Sequence, residues 1–397
     1  MKKRFRHTFT FWLLRPFIRM FLWMKYRVKP TRFKKKAHFD GPSLIVANHA
    51  LELDPFIIAT SFKEPIYYVA SDMIFSIPFW SFWIRYLVSP IPKTKYRSDY
   101  ETIRDIKRIV KSGGSVCVFP EGNSTWHGKT MPMHPSIAKL AKLLRIPVII
   151  YRIENGYLTK PRWGATVRRG AMRAYVHDVW SVDKVQSMSV TTLHEKLTEA
   201  LDVDIRKTII KPHYSKRSAE DIESAYFWCP SCHSFATIYS EGEQVRCKTC
   251  KLEARYLSDG SITANDDAMP NDTGSWYEQQ KAALKHVIAT IDQDTVLFRD
   301  EHEMVYEVER AYKKTLLGSA TIQLSNQLFR VAFDYGEGYS WDVETLDISV
   351  QQKHKLIVYH RPSETTLYCI NDKKRNAIKY VLGVEALKER GGLNDGL

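Results

Sequence analysis

Acidic residues are absent from the first 36 positions, although the same stretch holds 13 Lys and Arg. Over the whole chain 59 basic and 44 acidic side chains give +15, so the residues after 36 carry 46 against 44 and are close to neutral. A uniformly basic body would point to nucleic acid; a basic excess confined to one terminus points to an arm that meets an anionic surface. Glycine and proline are scarce, at 18 and 17 of 397 residues, which excludes a collagen-like or low-complexity chain. No Gly-x-Ser-x-Gly elbow occurs, which excludes a serine nucleophile of that type. Cysteine is limited to six, and four of these sit in two Cys-x-x-Cys pairs. What is plentiful is apolar surface: hydrophobics at 44% and aromatics at 12% suit two to three folded units and exclude wholesale disorder.

Between the charges of the arm lie Phe9, Phe11, Trp12, Leu13, Leu14, Phe17, Ile18, Phe21, Leu22 and Trp23, interrupted by Arg15, Pro16 and Arg19. No run there reaches the roughly 20 apolar residues of a spanning helix. Lys25-Tyr26-Arg27 does not resemble the small-residue end of a cleavable signal. Leu14, Phe17, Ile18, Phe21 and Leu22 fall on one helical face and Arg15 and Arg19 on another, the pattern of a helix lying in a headgroup boundary. Residues 1–36 are therefore expected to be a basic amphipathic membrane-associating segment, the plainer reading being a helix packed on the protein's own core. A second apolar stretch, residues 73–84, is also too short to span and is the candidate for an apolar ligand slot or a bilayer contact, against a core helix.

Ser43 to Ala47, Ser115 to Phe119 and Ile146 to Ile150 are short apolar runs of the buried-strand kind. Between them, Ile103, Ile106, Ile109 and Val110 form a helical stripe that stops at Gly113-Gly114, and Ile137, Leu140, Ala141 and Leu144 form another. Asp54-Pro55 has the form of a helix start. The alternation predicts an α/β domain with a mostly parallel sheet, in which ligands sit at the carboxyl ends of strands. The loops after Ala47 and Phe119 are the places for chemistry. The first holds His49 and Asp54 with four residues between them; the second holds Glu121 and Gly122. An imidazole held by a carboxylate is what a general base needs, because the carboxylate fixes the tautomer and stabilises the imidazolium formed on proton uptake.

These blocks resemble the glycerolipid acyltransferase family of the 1-acyl-glycerol-3-phosphate type. Its His-four-Asp block corresponds to His49 and Asp54, its Phe-Pro-Glu-Gly block to Phe119 to Gly122, and its Pro-Val strand to Ile146-Pro147-Val148-Ile149. Its Ile-Pro segment ending in a basic residue corresponds to Ile91 through Arg97. The resemblance covers roughly residues 25–210. It implies that His49 takes the proton of an acceptor hydroxyl, with Asp54 orienting it, and that Lys95, Arg97, Glu121 and Gly122 bind the acceptor. It further implies acyl-CoA or acyl carrier protein as donor and a lysophospholipid as acceptor. One departure stands out: where the family commonly has an Arg after Phe-Pro-Glu-Gly, this chain has Asn123-Ser124-Thr125. A phosphate contact would then shift to Lys93, Lys129 or Arg97, or the acceptor would be another lipid alcohol. Gly128-Lys129-Thr130 lacks the spacing of a nucleotide phosphate loop.

Cys229 and Cys232, then 14 residues, then Cys247 and Cys250 present four thiolates in the spacing of a closed structural zinc site, and residues 225–257 are expected to form a zinc ribbon. Disulfides are disfavoured for a chain that uses acyl-CoA in a reducing compartment. Residues 258–275 read as a linker, being rich in Asp, Gly, Ser and Asn. Short strand-like runs, among them Val305 to Val308, Ala320 to Leu324 and Leu356 to Tyr359, precede a helix bearing Ala377, Ile378, Val381, Val384 and Leu387. Residues 276–397 are similar in this pattern to pleckstrin-homology or GRAM-type barrels.

The expected organisation is thus a membrane-associating segment at 1–36, an acyltransferase domain at 37–212, the zinc ribbon, the linker and a β-rich domain closed by a helix. The expected function is acyl transfer to a lysophospholipid such as 1-acyl-glycerol-3-phosphate in phospholipid biosynthesis, peripheral or monotopic at the cytoplasmic face of an anionic membrane. The rival from another class is a membrane-tethered adaptor with an inactive acyltransferase domain. Charge near zero after residue 36 argues against nucleic acid as partner.

Overall fold

A computed structural model describes residues 2–71, 89–93, 100–208, 211–292, 295–308, 314–371 and 376–394. The proposed apolar slot at 73–84, and with it Lys95 and Arg97, lies outside the described residues. The chain divides into two compact units: Met1–Arg162, Thr166–Ser215 and Ser258–Gly260 form one, and Trp163–Ala165, Lys216–Leu257 and Ser261–Leu397 the other.

The first unit is built on a six-stranded mixed sheet in the order β3-β2-β4-β1-β5-β6. Its strands are β1 (Leu44–Ala47), β2 (Ile66–Ser71), β3 (Ile91–Lys93), β4 (Ser115–Val118), β5 (Val148–Glu154) and β6 (Arg173–Trp180). The first five run parallel and β6 closes one edge antiparallel to β5. Both faces of the central strands are covered, which is why Leu-Ile-Val-Ala in β1 is buried without polar alternation. Leu44, Val46, Val116, Val148 and Ile150 point to one core, shared with Ile106, Ile137, Ala141, Leu193 and Leu197. Those partners come from α3 (Tyr100–Lys111), α4 (Ser136–Leu144) and α5 (Val190–Leu201). Ile45, Ala47, Cys117, Ile149 and Tyr151 point the other way, onto Leu22 and Tyr26 of α1 (Lys2–Tyr26) and Ile57 and Ile58 of α2 (Asp54–Ser61). The stop expected after α3 is supplied by Gly113, whose φ of +80° is the left-handed turn that ends helices.

Helix α1 forms where the arm was expected, but the face it docks is not the expected one. Leu22 is fully buried and Ile18 packs beside it, whereas Phe17 and Phe21, assigned to the same face, are exposed. Burying Leu22 contributes roughly 1.5–3 kcal/mol. Arg15 turns inward and donates from Nη2 to Thr60 O at 3.1 Å, a cation on the open carbonyl end of α2. Phe9, Trp12, Leu13, Phe17, Met20, Phe21 and Met24 are left exposed at the three- and four-residue spacing of one helical stripe. Among the described residues no helix is long and apolar enough to cross a membrane.

In the second unit β7 (Ile238–Glu241), β8 (Gln244–Cys247), β9 (Glu253–Tyr256) and β10 (Ile262–Ala264) form a four-stranded antiparallel sheet. The stretch 258–275 is therefore not a bare linker: it adds β10 to this sheet and begins α6 (Thr273–Thr290), which Asp272 caps by accepting from Ser275 N. A seven-stranded antiparallel sheet follows in the order β14-β13-β12-β11-β17-β16-β15. Its members are β11 (Val296–Val308), β12 (Lys314–Ser325), β13 (Leu328–Phe333), β14 (Gly338–Asp342), β15 (Leu346–Gln351), β16 (Lys355–His360) and β17 (Thr365–Ile370). The last helix, α7 (Ile378–Asn394), lies so close to this sheet that a Cβ on Gly383 would meet Leu324 Cδ2 at 2.6 Å.

Candidate active site

Parallel pairing of β1 with β4, Ile45 opposite Cys117 and Val46 opposite Val118, brings the two motif loops out at the same edge of the sheet. The first loop leads into α2, whose first residue is Asp54. The Asp54 side chain is wholly buried, and its Oδ2 accepts three hydrogens: from Ala50 N at 2.6 Å, Leu51 N at 3.0 Å and the His49 ring at Nδ1, 2.8 Å away. An acceptor already serving two amides receives the ring's hydrogen, so Nδ1 carries the proton and Nε2 keeps its lone pair. Nε2 has no hydrogen-bond partner among the described residues, and the imidazole is one-fifth exposed. Phe119, at the end of β4, stacks on the imidazole with ring centroids 4.5 Å apart.

The backbone of His49 is held from both sides by the second loop. Its N–H donates to Glu121 Oε1 at 2.6 Å, and its carbonyl accepts from Thr125 N at 3.1 Å. Glu121 Oε2 accepts from Met131 N at 2.6 Å. Glu121, expected to face the acceptor, is thus turned onto the protein's own amides; desolvation pushes its carboxyl up to about 8, against the two amide bonds, which favour the charged form. Gly122 is exposed with φ +70° and its amide closes a turn onto Phe119 O, so it serves the loop's geometry. Replacing Glu121 by Gln leaves one of the two amides facing an NH2 group, and should lower stability by about 1–3 kcal/mol and activity with it. Unfolding in urea with a midpoint equal to the parent's would show that the bridge carries no weight.

Sequence reasoning missed the residues that act through the backbone. Asn48 forms a two-way clasp with Ile153 of β5, its Nδ2 donating to the carbonyl at 2.9 Å and its Oδ1 accepting from the amide at 2.8 Å. Arg162 donates from Nη1 to Ser124 O at 3.3 Å and lies 4.1 Å from the Trp126 ring centroid. An Asn directly before the His was the one available signal; the approach of Arg162 had none. Lys93 ends β3 and is exposed, as is Lys129.

A model of the acyltransferase family matches residues 26–154. This segment is an acyltransferase-family domain. A chloroplastic 1-acyl-sn-glycerol-3-phosphate acyltransferase of Brassica napus is 23% identical over 177 residues, which are 44% of this chain and 51% of that protein. The chain thus spans about half the length of that curated relative. Among solved structures, the 1-acyl-sn-glycerophosphate acyltransferase PlsC of Thermotoga maritima is 21% identical, with 48% of this chain and 76% of that one covered and a TM-score of 0.41. All four blocks named from the sequence overlap the matched acyltransferase segment, with His49, Asp54, Glu121 and Gly122 among them.

The second unit holds a separate cluster. Sγ atoms of Cys229, Cys232, Cys247 and Cys250 all lie within 4.8 Å of one another, and two of the separations are 3.7 Å. A disulfide would need about 2.0 Å, whereas four sulfurs at about 2.3 Å from a tetrahedral metal stand about 3.8 Å apart. The set could therefore hold a metal ion. Thr249 N points at Cys247 Sγ at 3.3 Å, as a thiolate in such a knuckle requires. His233 is exposed beside the cluster, tilted on Trp228, and is not one of the four donors.

Proposed function

We propose that the chain transfers a fatty acyl group from acyl-CoA, or from acyl carrier protein, to the hydroxyl of a lysophospholipid, with 1-acyl-glycerol-3-phosphate as the acceptor and phospholipid biosynthesis as the setting. The observation that carries the proposal is the His49 ring, held at Nδ1 by a buried carboxylate and open at Nε2. Nε2 takes the proton of the acceptor hydroxyl as its oxygen bonds to the thioester carbonyl carbon. The C–S bond then breaks, and the departing thiolate recovers the proton from His49. Because a thioester has a good leaving group, positioning and one base suffice. Arg162 holds the Ser124 carbonyl and so shapes the loop beside the site, while a phosphate-bearing acceptor calls for a cation contact of its own. Lys95 and Arg97 remain candidates for the same contact.

The test is mass-spectrometric detection of diacyl product from acyl-CoA or acyl carrier protein and a panel of lysolipids. Product from lysophosphatidate supports the acceptor named; product from a different lysolipid alone keeps the chemistry and replaces the acceptor. No product from any pair, with folded protein, would leave the adaptor reading.

The reading also places the chain on the anionic cytoplasmic face of a membrane, held by α1, and assigns zinc to the four cysteines as a structural ribbon. The support for the membrane is the outward stripe from Phe9 to Met24 beside 13 basic residues. Changing Trp12 and Phe17 to Ser keeps every charge and should weaken binding to anionic vesicles roughly tenfold or more. Equal co-sedimentation of parent and variant would move the anchor elsewhere.

A further inference from the structure

Asp54 has two carboxylate oxygens, and only Oδ2 is accounted for: it takes the hydrogens of Ala50, Leu51 and the His49 ring. Oδ1 is buried as well and has no hydrogen-bond partner among the described residues. The same holds for the hydroxyl of Tyr68, a residue that is 5% exposed. A buried oxygen left unmet costs free energy, so two of them in one core call for a shared explanation.

Sheet register shows where the Tyr68 hydroxyl lies. Tyr68 on β2 is paired with Cys117 on β4, and Cys117 with Ile45 on β1, so the three share the face covered by α1 and α2. Cys117 lies two residues before Phe119 and points the same way, one step behind the ring that stacks on His49. Tyr151 on β5, paired with Ala47, rises from the same face, and its hydroxyl stands 2.6 Å from Ser61 Oγ of α2. The two tyrosines are on strands separated by β4 and β1, yet Tyr151 acts electrostatically on Tyr68, and Asp54 acts on both Tyr151 and Cys117. Their rings therefore lean toward each other over β4 and β1, beneath the start of α2. Burial, and after it these neighbours, push the Tyr68 hydroxyl and the Cys117 thiol above their ordinary ranges, which keeps both protonated and able to donate. Apolar packing accounts for the Tyr68 ring, but a phenylalanine would serve it as well; the hydroxyl needs another reason.

We propose that one buried water joins the Tyr68 hydroxyl and the Cys117 thiol to Asp54 Oδ1, which makes Tyr68 a positioning residue for the general base. A buried water takes about two to four polar partners, and these three groups supply them. Tyr68 and Cys117 donate to the water, and the water donates to Oδ1. Held at both oxygens, the carboxylate keeps its orientation toward the ring as His49 gains the proton. A donor on Oδ1 also draws charge away from Oδ2; without it, the His49 and Asp54 pair takes up a proton at higher pH. The positioning role rests on the reading of His49 as base, whereas the water does not.

The experiment compares the full chain with its Tyr68→Phe variant, which loses the hydroxyl alone. With nitrogen-labelled histidine, the His49 signals, identified by their loss in His49→Ala, are followed against pH. The titration of Tyr68→Phe should lie about half a pH unit or more above the parent's. In turnover, kcat should fall roughly tenfold with KM for the acceptor unchanged, and the acid limb of the pH profile should move the same way. Because the titration needs no substrate, a shifted titration in protein that acylates no lysolipid supports the water and overturns the acyltransferase reading instead. An unshifted titration overturns the proposal, and a variant that then melts above the parent identifies a hydroxyl that was simply unmet. Should Tyr68→Phe fail to fold, Cys117→Ala, which removes the other donor, decides the question by the same readouts.

Discussion

Replacing His49 by Ala should lower kcat for acyl transfer by about two to four orders of magnitude while leaving KM for the acceptor nearly unchanged. The imidazole is engaged by Asp54 through Nδ1 and by Phe119 through stacking, and the lone pair at Nε2 is the base that the described residues offer to a substrate there. A proton acceptor used in the transition state affects turnover and not ground-state binding, which is why the loss should fall on kcat. Asp54→Asn should cost less, about tenfold to a hundredfold. An amide oxygen in the place of Oδ2 can still take the hydrogens from Ala50, Leu51 and the ring, but it no longer stabilises the imidazolium. The order of the two effects is the informative part. An Asp54→Asn variant poorer than His49→Ala, or a His49→Ala variant within tenfold of the parent, would remove His49 from the role of base.

On the proposed zinc reading, stripping the metal from the four-cysteine cluster should unfold the sheet formed by β7 to β10. Its strands are only three or four residues long, and buried side chains such as Val245, Ile238 and Leu252 offer too little apolar area to hold them without a crosslink. Metal binding in modules of this kind is worth about 10–16 kcal/mol at pH 7, so the folded sheet and the bound ion are expected together. Purified protein should carry about one zinc per chain. Cys229→Ser, or a strong chelator, should abolish the slow-exchanging amides of β8 and β9. Metal-free protein with those amides still protected would end the zinc assignment.

The parts of the fold legible in the sequence are those where local pattern and burial coincide. Strands β1 and β4 are covered on both faces and read as unbroken apolar runs, and the spacing of His49 and Asp54 survives as a pattern because a strand end and a helix start fix it. The face of α1 was misread because the helix is apolar nearly all round: Ile18 and Leu22 go inward while Phe17 and Phe21, one position away, go outward, and only the docking of Leu22 and Tyr26 decides between them. Strand β10 was hidden in a polar stretch because three residues, Ile262 to Ala264, are held by pairing with β9 and not by their own propensity. Strands β14 and β15 carry alternation, as in Leu346-Asp347-Ile348-Ser349-Val350, but a turn-rich setting masked it. Within the site, Asn48, Glu121 and Thr125 do their work on backbone amides and carbonyls, and such contacts leave no periodic trace in a sequence.

Helix α2 touches the chemistry at one end and the arm at the other: Asp54 opens it beside His49, and the carbonyl of Thr60 near its close receives Arg15 of α1. Eight residues of helix are only about 12 Å long. On the proposed reading, the reacting hydroxyl is therefore met one short helix away from the inner side of α1, whose outer side carries the lipid-facing stripe, and the acceptor has no need to leave its leaflet. Turnover then follows the mole fraction of acceptor within the surface and not its concentration in the suspension. Adding inert lipid at constant total acceptor slows such an enzyme by surface dilution, as it would not slow one that draws its acceptor from water.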